Sequence, residues 1–544
     1  MKSFSTRSIF AVFFVVFSLT GCVTSSRGSL NPEKAVYKLA PIERVASTPS
    51  EGVYYSIFVR SFADSDGDGI GDFAGLTAKL DYLNDGNDAT SSDLGITGIW
   101  LMPIFPSQSY HGYNVDNYYE INPGYGTMED FEKFLVEADK RGISVIIDMT
   151  CNHSSIYTSW FMESQNPESP YRDWYRWIKA DDPRFNLNQQ IWGHKLWNKV
   201  GDSYYSGLFE RGMPDFNLAN PLVRKEFQKI ATFWMDKGVD GFRFDAAGHI
   251  FNAAKIPSNE ESQSQAISFW KEYVGAIKTH NPLAYTVGEV WEPTSTRAAY
   301  MEGLGSTFHF DLGTKIIDII RTGSGGRNNL ANSLYADYET YREVNPEYID
   351  APFLTNHDQN RISGMLKGDP AQLKLAASLY MLAEGVPFIY YGEEIGLMGA
   401  KPDEQIRTPM LWNKEGKDRL QTRWIESKYN KKTLPVSVQE KDDTSILQYY
   451  KRLIRIKTAH PALYRGRMSP FDTGVSEIIS WHMGDSEENA FVLHNVSSEA
   501  VSVSIPSEGR AYSLIFATYK DTIIHSDATI TIPARGSVVL AIKK

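Results

Sequence analysis

Three features of this sequence predict an α/β chain built on a (β/α)8 TIM barrel, with a small subdomain inserted after strand 3 and a C-terminal all-β domain. Eight short β-branched or aromatic runs recur along it, at residues 53–59, 98–102, 144–148, 241–245, 285–289, 307–311, 353–356 and 388–391. Most are separated by stretches of helical period, such as 128–140, 221–237 and 371–383. Strands alternating with helices make a parallel sheet, and eight such units favour a closed barrel over an open one. From about residue 436 the rhythm changes. A helical stretch at 446–459 is followed by alternating runs at 478–482, 490–495, 501–505, 512–515, 529–532 and 537–542, which predict a β-sandwich.

At the N-terminus, Lys2 and Arg7 precede an apolar run over 9–19 that is short for a membrane span. The run ends in Leu19-Thr20-Gly21-Cys22, which resembles the bacterial lipoprotein signal; that resemblance implies cleavage before Cys22 and acylation of it. Residues 1–22 are read as this signal, and 23–50, rich in Ser, Thr and Pro, as a flexible tether. The expected location is extracytoplasmic, held to the cell envelope by lipid. The barrel is expected over 51–151 and 219–435, and the C-terminal domain with its barrel-closing helix over 436–544. Residues 152–218 are too long and aromatic for a loop, with Trp160, Trp174, Trp177, Trp192 and Trp197, and form the inserted subdomain. Most of these indoles are expected in its core, with one or two facing a cleft.

With 544 residues, 42% of them hydrophobic, the chain has ample material for a core. Its formal charge of -11 argues against nucleic acid as a partner. Two cysteines, Cys22 and Cys151, exclude a disulfide framework. Neither GxGxxG nor a P-loop occurs, so nucleotide binding has no motif support. The 12 Trp and 30 Tyr suit either a large core or a groove with stacking platforms.

Three run ends carry acids: Asp245 in GFRFDAAGH, Glu289 in VGEVW and Asp358 in FLTNHDQ. In a parallel barrel the carboxyl ends of the strands share one cleft, and a cleft with paired carboxylates suits glycoside hydrolysis. Arg243, two residues before Asp245, lies on the same strand face and would keep it ionised as nucleophile. Glu289, flanked by Val290 and Trp291, is the candidate general acid/base. Asp358 would bind sugar hydroxyls and stabilise the transition state.

These residues resemble the motifs of the α-amylase family of glycoside hydrolases, over about 51–544. DMTCNH at 148–153, GFRFDAAGH at 241–249, GEVW at 288–291 and FLTNHD at 353–358 match its four motifs in order, and MPDFN at 213–217 matches an extra one. The resemblance implies a retaining mechanism on α-1,4-glucosidic bonds of starch, glycogen or maltooligosaccharides. It also implies substrate contacts from Tyr113, His153, Arg243, His249 and His357. Position 248, often Lys in the family, is Gly, which leaves the reducing-side contacts open. MPDFN also resembles a group between α-amylases and oligo-1,6-glucosidases or neopullulanases, so a neopullulanase, α-glucosidase or 4-α-glucanotransferase is the alternative. A non-catalytic surface glucan-binding lipoprotein is the alternative of another class; its barrel would be expected to lack the acids. No obligate protein partner is expected.

A second signal is Asp64-Ser-Asp66-Gly-Asp68-Gly69-Ile70-Gly-Asp72. Carboxylates at alternate positions around tight glycine turns, with the Ile70 carbonyl, suit one hard cation, expected to be structural Ca²⁺. Position 12 of an EF-hand would fall on Gly75, not Glu, which disfavours a true EF-hand. The family resemblance also implies a second Ca²⁺ site between barrel and subdomain, at Asn152 and Asp215.

Overall fold

The computed structural model describes residues 42–46, 48–251, 260–325, 330–414, 417–505, 512–525 and 528–542. Cys22 and the tether up to residue 41 lie outside the described residues. No helix among the described residues is long and apolar enough to cross a membrane.

Eight parallel strands form one sheet: β1 (Tyr54–Ile57), β2 (Gly98–Leu101), β3 (Ser144–Thr150), β4 (Gly241–Asp245), β5 (Tyr285–Gly288), β6 (Ser306–Phe308), β7 (Ile349–Ala351) and β8 (Phe388–Tyr390). Strands β1 to β7 pair in chain order, and β8 pairs with β1. A parallel bridge from Phe353 to Phe388 closes the ring between β7 and β8.

The seventh strand lies earlier than the run at 353–356 predicts. Pro352 has no N–H to give, so the ladder with β6 ends at Ala351, and the Pro352 carbonyl accepts from Phe388 N–H at 2.9 Å. Asn356, His357 and Asp358 therefore sit in the following loop. The sixth run is shorter than expected: β6 stops at Phe308 and a helix begins at Leu312.

Strand alternation turns Tyr54, Trp100, Ile146, Tyr285, Phe308 and Phe388 into one interior cluster. Tyr54 stacks on Phe388 with centroids 5.0 Å apart. Gly98 makes this possible, because a Cβ there would lie 2.5 Å from the Tyr54 ring. The same alternation carries Asp148, two residues past Ile146, and Glu289, two past Val287, to the carboxyl end of the interior.

The surrounding helices follow their sequence signals. Met128–Asp139 starts with a Thr127–Asp130 capping box and buries Phe131, Phe134, Leu135 and Ala138. Pro221–Asp236 starts at an Asn220 cap with proline in its first turn. Between β3 and the latter helix, strands Trp177–Lys179, Trp197–Val200 and Ser203–Ser206 form a small antiparallel sheet, joined by a hairpin of Gln190–Ile191 and His194–Lys195. Ile178, Ile191, Leu196, Trp197 and Leu208 form its own core.

Helix Ile446–Ala459 precedes the C-terminal domain. That domain has a five-stranded antiparallel sheet and a three-stranded one, with Leu493, Val503, Ile530 and Leu540 in one core. The alternation marked most of its strands but not Arg467–Pro470 or Ile523–Ile524. The Trp481 indole N–H donates to the Leu382 carbonyl at 3.1 Å, which ties this domain to the barrel.

Candidate active site

The carboxyl ends of the barrel strands open onto a cavity of about 730 Å³. Asp245, Glu289, Asp358, Tyr113, His153 and His249 all line it, together with Arg407. Arg243, His357 and Asp148 stand behind them, almost wholly buried.

Arg243 is the hub. Its Nη1 donates to Asp245 Oδ1 at 2.7 Å and to Asp148 at 2.8 and 3.0 Å, and its Nη2 lies 2.8 Å from Glu289 Oε2. One planar fork thus spans three carboxylates, which a lysine could not do. Its guanidinium also sits over the Trp100 ring at 5.1 Å, so the apolar interior props it from below.

Burial raises the Glu289 carboxyl to about 7; Arg243 opposes the rise, and the negative charges of Asp245 and Asp358 add to it. Burial also raises Asp245, against the pull of Arg243. Asp358 is held low: burial would raise it, but the nearby positive charges, Arg407 and Arg243 among them, outweigh that effect. Environment therefore separates Asp358, held low, from Glu289 and Asp245, which are both raised, and it suits Glu289 to carry a proton. Directly after Asp245, Ala246 takes φ 48°, and its N–H donates to Glu289 Oε2 at 2.9 Å. This strained residue binds the two acids' segments together.

Tyr113 donates to Asp148 at 3.1 Å, and its hydroxyl lies 2.6 Å from His357 Nε2, with the two rings stacked. His357 Nε2 is 3.1 Å from Asp358 Oδ2, and burial lowers the imidazole to about 3, so it is neutral. Burial likewise lowers His153 to about 4. His249 stands on the cavity wall, edge-on to the rings of Trp192 and Phe209, which also touch each other.

Two residues enter that sequence reasoning assigned no role. Asp148 was matched to a motif only, yet it is fully buried against Arg243 and Tyr113. Arg407, in a loop without periodic pattern, donates to Asp358 Oδ1 at 2.8 Å and to the His357 carbonyl at 2.9 Å. No local signal marks it; its partners are 49 and 50 residues away in the chain. Among the indoles of the insert, Trp174 and Trp197 are buried, whereas Trp192 is 63% exposed and lines the cavity.

Away from the cleft, carboxylate oxygens of Asp64, Asp66 and Asp72 lie within 4.8 Å of one another, Asp64 and Asp72 being buried. Backbone N–H groups of Gly67 and Gly69 meet Asp64 and those of Ser65 and Gly75 meet Asp72, and the all-oxygen set would suit a hard cation. Asp68 is outside the trio and accepts from Ile70 N–H at 2.6 Å. Asp72 also caps the helix Phe73–Ala78 through Gly75 N–H. At the other candidate pair, Asn152 Nδ2 donates to Asp215 at 3.2 Å and Leu208 N–H donates to both Asp215 oxygens, so protein donors already meet that carboxylate.

Residues 56–466 match the family model described as alpha amylase, catalytic domain, and residues 478–539 match that of the alpha-amylase SusG C-terminal domain. The chain is 42% identical to "Alpha-amylase 3" of Dictyoglomus thermophilum over 82% of its own length and 84% of the relative's. It is 30% identical to a 4-alpha-glucanotransferase of Thermotoga maritima, over 82% and 96%. The solved structure of an alpha-amylase from H. orenii is 39% identical and superposes with a TM-score of 0.83, over 91% of this chain and all (100%) of that one.

Proposed function

Because the chain belongs to the α-amylase family of glycoside hydrolases, we propose that it cleaves internal α-1,4-glucosidic bonds of starch, glycogen or maltooligosaccharides with retention of configuration. The observation that carries this is the pairing of Asp245 and Glu289 on one guanidinium at the wall of the cavity. Retaining enzymes hold their two carboxyls about 5–5.5 Å apart, too near to admit a water between them. Two carboxylates gripped by one fork are close neighbours, which supports the retaining reading.

Glu289, protonated near neutral pH, gives its proton to the glycosidic oxygen. Asp245 attacks the anomeric carbon, and the bond to the leaving sugar breaks. The glycosyl–Asp245 ester then yields to water, from which Glu289 takes back a proton. Arg243 holds Asp245 ionised and aimed. Asp358 accepts hydrogen bonds from hydroxyls of the reacting sugar, with His153, His357 and Tyr113 around the same ring. Asp64, Asp66 and Asp72 would hold a structural Ca²⁺, with Asp68 and the Ile70 carbonyl near it in the loop; when bound, the ion would neutralise their charge. The lipobox at Cys22 supports attachment to the cell envelope by lipid.

The relative named 4-alpha-glucanotransferase keeps transfer to sugar acceptors as the second reading. The test is the product profile of protein lacking residues 1–22 on soluble starch, maltotriose and pullulan, with Glu289→Gln as control. Mixed maltooligosaccharides from starch, lost in the control, are expected. Glucose alone, panose from pullulan, or products longer than maltotriose from maltotriose would move the assignment to the glucosidase, neopullulanase or transferase reading.

A further inference from the structure

The loops that follow β7 and β8 are joined by a row of hydrogen bonds. Asn360 Oδ1 accepts from Lys401 N–H at 2.8 Å, and Arg361 N–H donates to the Gly399 carbonyl at 2.9 Å. Nearer the cleft, Arg407 donates to the His357 carbonyl and to Asp358 Oδ1. Gly399 lets the second loop fold back closely on itself. A Cβ there would lie 2.5 Å from the Gln405 carbonyl oxygen and 3.0 Å from Ile406 Cα. Residues 399 and 405–407 therefore pack together against the segment 357–361.

The side chain of Arg361 fastens this arrangement from within, and it is buried. Its Nε donates to the Ile406 carbonyl at 2.8 Å and its Nη1 to the Tyr391 carbonyl at 2.7 Å. The guanidinium lies over the rings of Tyr390 and Tyr391, at 4.1 and 4.8 Å. One fork thus ties the end of β8, and the loop residue directly before Arg407, to the segment that carries Asp358. A second donor converges on the same oxygen, since the Tyr390 hydroxyl donates to the Ile406 carbonyl at 3.1 Å.

Ion pairing does not account for a guanidinium at this place. Its hydrogen bonds go to backbone carbonyls, and the nearby carboxyls of Glu393 and Glu394 are both raised by burial, Glu393 to about 8. Tyrosine hydroxyls already meet both acids, from Tyr380 and Tyr450 on Glu393 and from Tyr55 and Tyr82 on Glu394. Replacing buried ionic groups by apolar ones of like volume is often neutral for stability. What Arg361 supplies is geometry, because a planar fork reaches two carbonyls in fixed directions and an ammonium does not. The Ile406 carbonyl belongs to the same peptide unit as the Arg407 nitrogen, so holding it fixes where the Arg407 side chain starts. We propose that Arg361 is a positioning residue for the hydrolytic reaction, fixing the Arg407 backbone so that Arg407 can hold Asp358 against the reacting sugar. This rests on the hydrolase reading above. Arg361 itself does not line the cavity and acts only through Arg407.

The experiment is a double-mutant cycle on maltopentaose, with Arg361→Lys and Arg407→Ala made singly and together and rates taken per folded molecule. Arg361→Lys should lower kcat/KM by about tenfold or more in the otherwise unaltered protein, with most of the fall in kcat. In the Arg407→Ala background the same substitution should cost less than about twofold, since the residue it positions is already gone. Arg361→Gln, which keeps an N–H donor without the charge, replaces Arg361→Lys in the cycle if that variant does not fold, and the same pattern is expected of it. Equal falls in both backgrounds, or none in either, would overturn the proposal and leave Arg361 a residue of the fold alone. Failure of both Arg361 variants to fold would overturn it in the same way. Unaltered protein without turnover would instead remove the hydrolase reading, and this inference with it.

Discussion

Arg243 and Asp245, two residues apart on one face of β4, are joined by a 2.7 Å hydrogen bond between two buried side chains. The partners were set by strand periodicity alone. The closing of the barrel around them added Asp148 and Glu289 to the same guanidinium.

Arg243→Ala should therefore leave a group of acids buried without their counter-charge. Breaking a buried pair from one side costs about 3–5 kcal/mol. A drop of that size in denaturant midpoint experiments is expected, together with a loss of kcat of at least about 10²-fold, the size of a lost transition-state contact. Near-unaltered stability would show that Asp148 and Asp245 have other means of compensation.

The pH dependence follows from the two shifts. Glu289 must carry its proton, so kcat/KM should fall as pH rises through about 7. Asp245 must be ionised, and its carboxyl is raised, so the acid limb should lie above the ordinary aspartate range. The profile is then a bell. In Glu289→Gln the alkaline limb should vanish for a substrate with an activated leaving group, which needs no proton. A surviving limb near 7 would assign that ionisation elsewhere.

Arg407→Ala should release Asp358, raising its carboxyl, because burial would then be less opposed. The expected outcome is an acid limb moved to higher pH and a kcat/KM lower by about tenfold or more. Arg407→Lys should recover the pH profile better than the rate, since an ammonium replaces the charge but not the fork. An unshifted profile in the alanine variant would show that Arg407 only shapes the loop.

Removing divalent cations with a chelator should lower Tm, and Ca²⁺ should restore it more effectively than Mg²⁺, which keeps its waters. Asp64→Asn should reduce the Ca²⁺-dependent part of that stability. A melting curve indifferent to chelator would remove the ion from the Asp64, Asp66 and Asp72 cluster.

Local patterns in the chain were enough for the architecture and for expecting Asp245, Glu289 and Asp358 at one cleft, where the structure brings them together. Periodicity of two placed Arg243 beside Asp245, strands alternating with helices implied the barrel, and helices 128–139 and 446–459 begin where caps and apolar spacing put them. One strand was misplaced because Pro352 ends a ladder that the apolar run alone does not reveal. Arg407, the bridging role of Arg243 toward Glu289, and the exposure of Trp192 were beyond local reading. Each depends on chain segments far apart in sequence, and burial, charge pairing and solvent contact at such positions are decided only when the barrel closes and the insert folds over its mouth.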